Sequence, residues 1–154
     1  MEDLKALTQV AEFHATFKHP IVAQPGIPSK ERAQLRVELL AEELKELQEA
    51  IANNDLIEVA DALCDLQYVL SGAVLEFGLA EKFKTLFDEV HRSNMSKACK
   101  SQQEAEETIA YYKQKDGTEA YFKEIEGKFL VYRSSDHKTL KSIAYSPADL
   151  NSII

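Results

Sequence analysis

Five acids between Glu42 and Asp61 have the types and spacing for chemistry. Glu42, Glu43 and Glu46 form an E-E-x-x-E run, and Glu58 and Asp61 form E-x-x-D further along. Residues three apart on a helix share a face, so each run presents a pair of carboxylates on one side. Asn53-Asn54-Asp55 between them reads as a tight turn. A turn that short makes the flanking helices antiparallel neighbours, and the two pairs then converge. Carboxylates gathered at a buried edge are costly without a partner, and no Lys or Arg occurs from Leu56 to Leu75. A hard divalent cation suits such a cluster: Mg²⁺ takes oxygen ligands and keeps several waters. Glu43, Glu46, Glu58 and Asp61 are the candidate metal ligands, with Asp65 a further ligand or an outer-shell support.

Two helices must position these acids. The first is expected from about Lys30 to Ala52, with Ser29 as N-cap. Its apolar stripe is Leu40, Leu44, Leu47 and Ile51. Glu43 falls at the edge of that stripe, Glu46 just beyond it, and Glu42 turns towards solvent. Arg36 lies along the stripe, placed to pair with an acid or to face a partner chain. The second helix is expected from about Asp55 to Phe77, with Asp55 at its positive end and Gly78 as its stop. Leu56, Val59, Leu63, Leu66, Leu70 and Val74 make one face, and Glu58, Asp61 and Asp65 gather on the other, beside Tyr68 and Gly72. Helices this apolar are central to a bundle or to an oligomer interface. The plainer alternative is a solvated acidic face, with Lys45 paired to Glu42 or Glu49.

A helix over residues 2–18 precedes them, carrying His14 among apolar neighbours as a packed, hydrogen-bonded histidine. His19-Pro20 ends it. Pro20, Pro25, Gly26 and Pro28 then make a stiff loop, a plain linker or a strap across a pocket mouth. A shorter helix follows from Ala80 to about His91, and the chain then changes sign. Arg92, Lys97 and Lys100 cluster with Ser93 and Asn94, all good phosphate partners. Gln102 to Gln114 reads as a polar helix. Beyond it the period changes to two, and three strands are expected at Ala120–Ile125, Lys128–Tyr132 and Leu140–Tyr145.

The composition sets bounds. At 154 residues the chain is long enough for a real core. A net charge of −8 argues against a nucleic-acid polymer or an anionic membrane as partner. No apolar run is long enough to span a bilayer, and no basic-then-apolar leader opens the chain. Cys64 and Cys99 have neither disulfide-framework nor zinc spacing. A cytoplasmic protein is the expectation.

These residues resemble the MazG-like all-α nucleoside triphosphate pyrophosphohydrolases, including the phosphoribosyl-ATP pyrophosphohydrolase-like proteins. The resemblance rests on Glu42-Glu43-x-x-Glu46 and Glu58-x-x-Asp61, on the run Ala60 to Val69, on Glu76-Phe77-Gly78, and on Val90 to Lys97 with its Ser-Asn-Met-Ser-Lys segment. It covers residues 1–97 and resumes near Tyr145-Ser146-Pro147-Ala148-Asp149-Leu150. Residues 98–140 depart from it as an insertion. It implies a mainly α fold: an antiparallel helical bundle over residues 1–100. A C-terminal helix and small antiparallel β hairpin or sheet over residues 101–154 would pack on that core or on a neighbouring subunit.

The resemblance further implies Mg²⁺- or Mn²⁺-dependent hydrolysis of a nucleotide between its α and β phosphates, by a homodimer or homotetramer. Glu42 or a ligand carboxylate such as Glu46 would accept the water's proton. Arg92, Asn94 and Lys97 would contact phosphate or sugar. Two rivals stay open: a non-catalytic helical oligomer whose acid face binds a metal or partner, and an enzyme dedicated to phosphoribosyl-ATP.

Overall fold

The computed structural model describes residues 4–154. Its elements are α1 (Ala6–Phe17), α2 (Lys30–Ala52), α3 (Leu56–Glu76), α4 (Ala80–Met95), α5 (Gln102–Asp116), β1 (Ala120–Ile125) and β2 (Lys128–Arg133). The fold is mainly α with a two-stranded antiparallel sheet. Two compact units divide between Lys84 and Thr85, inside α4. Residues 2 and 3 of the expected first helix lie outside the described residues, and α1 starts at Ala6.

In the first unit, α2 and α3 form an antiparallel hairpin. Their starts and turn follow local chemistry. Ser29 Oγ accepts the Arg32 amide and caps α2, while Asp55 accepts the amides of Ile57 and Glu58 at 3.0 and 3.2 Å and caps α3. Asn54 takes the left-handed conformation the turn needs. α1 packs on α3 through buried Val10 and His14 and an edge-on contact of Phe13 with Tyr68. His14 is a packed histidine, its Nδ1 hydrogen-bonded to the Pro20 carbonyl at 2.8 Å.

The proline-rich loop lies against the end of α3. The amides of Val22 and Gly26 donate to the carbonyls of Leu75 and Phe77, both at 3.0 Å. Gly78 makes this possible: its φ is +67°, and a Cβ there would stand 2.0 Å from the Gln24 carbonyl oxygen.

One buried cluster fixes the rotation of α2. Glu76, 1% exposed, accepts hydrogen bonds from Arg32 and Arg36. Burial pushes its carboxyl up, but the two guanidinium groups outweigh that and hold it below the ordinary carboxylate range. Gly72 leaves room for this arrangement, since a Cβ there would meet Arg36 Nη1 at 2.7 Å. With Arg36 turned inward, the expected stripe on α2 is only half buried. Leu44 is 48% and Ile51 62% exposed, while Leu39, Glu43, Leu47 and Ala50 face inward. On α3 Val74 is buried as its place on the apolar face requires, but Leu56, Leu63 and Leu70 are exposed, and Ala62 and Gly72 are buried instead.

The second unit has its own core. Cys99, Ala105, Val131 and Leu140 are buried, with Ile109, Phe122 and Phe129 packed against them. The hairpin pairs Phe122 with Val131 across its centre and turns at Glu126-Gly127, both at positive φ. Cys99 extends it by exchanging both backbone hydrogen bonds with Phe129.

The third expected strand, Leu140–Tyr145, does not form. A single bridge joins Thr139 to Tyr132, and the Leu140 amide still donates to Val131. Thereafter the Ser142 amide donates to the Lys97 carbonyl, and the Ile143 amide to Thr108 Oγ1 at 3.2 Å. The backbone donors find partners off the sheet, so the ladder ends. α4 also runs one turn past the expected His91, because its last turn has tertiary partners: Ser93, buried, bonds the Tyr145 hydroxyl at 2.8 Å.

Candidate active site

The α2–α3 hairpin brings the two acid runs together. Glu46, Glu58 and Asp61 line one cleft of about 390 Å³, with Glu49, Asn53 and Asp55 around its turn end. Deeper along the hairpin Glu43 is half-buried. Burial raises its carboxyl above the ordinary range, and the charges of Asp65, Glu46, Glu42 and Asp61 add to the effect. Acids of both helices therefore act on one point, as convergence of the two runs requires.

The surrounding charges leave that repulsion standing. Lys45 pairs with Glu49 at 3.4 Å, and both are well exposed. Arg32 and Arg36 are committed to Glu76. Glu42 is exposed at the edge, where its helical position put it, and Asp65 is half-buried.

The donors are all carboxylate oxygens on two rigid helices, some open to water, one raised by burial and by the charge of its neighbours. That set fits a hard divalent cation. Among the described residues no three His, Cys, Asp or Glu side chains are already drawn to metal-ligand distance.

The candidate phosphate residues lie in the second unit. Arg92 is held by Glu89, its Nε and Nη2 donating at 2.7 and 2.8 Å. It also donates to Ser146 Oγ at 3.1 Å and to the Pro147 carbonyl at 3.0 Å. Glu89 in turn accepts the Asp149 amide at 2.9 Å. Those bonds, from Arg92 first, hold the Glu89 carboxyl down to about 2. Lys97 Nζ donates to Asn94 Oδ1 at 2.7 Å on the exposed side.

Sequence reasoning missed two features. Glu49 and Asn53 join the cleft wall; the i, i+3 spacing of Glu46 and Glu49 was the available signal. The pairing of Arg36 with Glu76 spans 40 residues, and no local pattern announces it.

Residues 10–94, over half of the chain, match the family model described as Phosphoribosyl-ATP pyrophosphohydrolase. Uncharacterized protein L479 of Acanthamoeba polyphaga mimivirus is 27% identical, in an alignment covering 86% of this chain and 89% of that protein. That alignment takes in more of the chain than the family match does.

Proposed function

The chain belongs to the phosphoribosyl-ATP pyrophosphohydrolase family, and from that membership we propose a metal-dependent nucleotide pyrophosphohydrolase. It cleaves a nucleoside triphosphate, or a related nucleotide, between the α and β phosphates. The products are a nucleoside monophosphate and pyrophosphate. One observation carries the reading: Glu46, Glu58 and Asp61 share a cleft, and Glu43 beside them feels the charge of acids from both helices.

Glu43, Glu46, Glu58 and Asp61 would hold Mg²⁺ or Mn²⁺, with Asp65 as a further ligand or an outer-shell support. The cation supplies neutralisation of phosphate charge and an acidified water. Exposed Glu42 would take up the proton from water, with the ligand carboxylate Glu46 as the alternative. The Ser93–Lys97 resemblance, rather than their position, assigns Lys97 and Asn94 to phosphate and sugar, and Arg92 joins them as the neighbouring cation.

Assembly completes the proposal. Val37, Leu44 and Ile51 recur every seven residues on α2, as Leu56, Leu63 and Leu70 do on α3, and all six are exposed. Apolar seams at that spacing suit a second copy of the chain, so we assign a homodimer or homotetramer. Among the described residues no single helix is long and apolar enough to cross a membrane. Both cysteines are free thiols, which suits the reducing cytoplasm.

The test is a nucleotide screen with Mg²⁺, resolving monophosphate plus pyrophosphate from diphosphate plus phosphate. Release of pyrophosphate supports the reading; no turnover of any nucleotide leaves the non-catalytic module instead. The family's own description favours one second reading, a dedicated phosphoribosyl-ATP enzyme. Turnover of phosphoribosyl-ATP beside ordinary and damaged triphosphates separates the two.

A further inference from the structure

A second cleft lies wholly within the second unit, between the C-terminal half of α5 and residues 141–145. Its volume is about 380 Å³, and Tyr111, Tyr112, Lys115, Lys141, Ile143 and Tyr145 line it. That is within the range of small-molecule sites, about 300–1,000 Å³. No carboxylate lines it, in a chain of net charge −8.

Its two ammonium groups are seated on rings. Lys141 Nζ stands 4.3 Å from the Tyr145 ring centroid, and Lys115 Nζ stands 5.5 Å from that of Tyr111 and 5.9 Å from that of Tyr112. A ring face orients a lysine without cancelling its charge, so both cations stay available to an anion. Two carboxylates nearby are engaged elsewhere. Glu104 accepts the Ser142 hydroxyl and the Lys100 amide, and Asp116 accepts the amide and hydroxyl of Thr118.

The walls are built in advance. Ser142 and Thr108 are buried, and the bond from the Ile143 amide to Thr108 ties the segment to α5. The Tyr145 ring is anchored through its hydroxyl to buried Ser93. That hydrogen bond, and after it the charges of Lys141, Lys97 and Arg92, lower the Tyr145 hydroxyl's pKa, which marks a positive field across this side of the cleft.

We propose that this cleft binds a mononucleotide, with the base against the tyrosine rings and the phosphate held by Lys115 and Lys141. Aromatic rings with cations are how single bases and their phosphates are held without sequence readout. The small volume of the cleft and the acidic chain favour one nucleotide over a strand. The site is independent of the hydrolytic one and stands whether or not that chemistry is correct.

The experiment is calorimetric titration of the full chain in EDTA with AMP, GMP, CMP and UMP, and with inorganic phosphate alone. Without a cation the acid cleft repels phosphate, and the part of the binding lost in the double-lysine variant reports the lysine cleft. At least one monophosphate is expected to bind, and Asp61→Asn is expected to leave that binding unchanged. Lys115→Gln with Lys141→Gln, both at exposed positions, is expected to weaken it about tenfold or more, as loss of charged hydrogen bonds should. Tyr111→Ala is expected to weaken nucleotide binding and leave any phosphate binding alone. Any one of three results overturns the site: no monophosphate bound in EDTA, unchanged affinity in the folded double-lysine variant, or inorganic phosphate matching the nucleotides. Failure of hydrolysis with monophosphate still bound in EDTA removes the enzymatic reading and keeps this one.

Discussion

Glu43 on α2 and Asp65 on α3 repel each other across the helix hairpin, and after burial Asp65 is the largest influence raising the Glu43 carboxyl above its ordinary value of 4.5. A group that holds its proton more tightly folded than unfolded contributes stability below its unfolded pKa. That contribution is lost as pH rises through the folded value. The contribution of Glu43 to the metal-free protein's melting temperature should therefore fall as pH climbs from about 4.5 through its raised pKa, against the opposite contribution of His14, whose pKa burial lowers. Glu43→Gln should flatten that slope and raise the melting temperature at pH 7, and Mg²⁺ should stabilise the wild type more than the variant. Calorimetry across pH, with and without Mg²⁺, reads all three.

Glu46→Gln and Asp61→Asn should each lower Mg²⁺-dependent pyrophosphate release by about 100-fold or more, the scale of losing a charge-stabilising group from a reacting site. Both side chains are exposed in the cleft, so circular dichroism and melting should show an intact fold. Turnover at the wild-type rate would remove these two residues from the chemistry.

Lys97→Ala should raise KM about tenfold, the cost of one charged hydrogen bond, and leave metal affinity unchanged. Its Nζ bonds only the Asn94 side chain among the described residues, so the fold should not suffer. Steady-state kinetics beside Mn²⁺ titration tests this, and an unchanged KM would end the phosphate assignment.

Glu76→Gln should destabilise the protein by about 3–5 kcal/mol, because removing one partner of a buried ion cluster strands the others. Arg32 and Arg36 would lose their shared carboxylate. The folded pKa of Glu76 is depressed, so its contribution is present above the ordinary carboxylate range and disappears as pH falls through the folded value. Urea unfolding at pH 7 and below pH 4 measures both; equal stability in wild type and variant at pH 7 would contradict the cluster's role.

Leu63→Glu, on the exposed seam of α3, should shift sedimentation from the oligomer to the monomer. Thr8→Glu, on an exposed position of α1, serves as control. A wild-type chain that sediments as a monomer at every concentration would dispose of the homodimer and homotetramer alike.

The helices and their ends were legible in the residues themselves. Ser29 and Asp55 are local caps, Asn53-Asn54-Asp55 a local turn, and Gly78 a local stop, each set by backbone hydrogen bonding within a few residues. Because α2 and α3 are joined so tightly, the convergence of Glu46 with Glu58 and Asp61 was also written in the spacing. Rotation about each helix axis was not. It depended on where Arg36 found its counter-charge, 40 residues away on Glu76, and that choice turned Leu44 and Ile51 outward. The end of the sheet was decided likewise. Leu140–Tyr145 alternates as a strand should, but Thr108 and the Lys97 carbonyl took its backbone donors. Short-range hydrogen bonds belong to the chain, whereas partners for a buried charge or an edge amide exist only once distant segments have met.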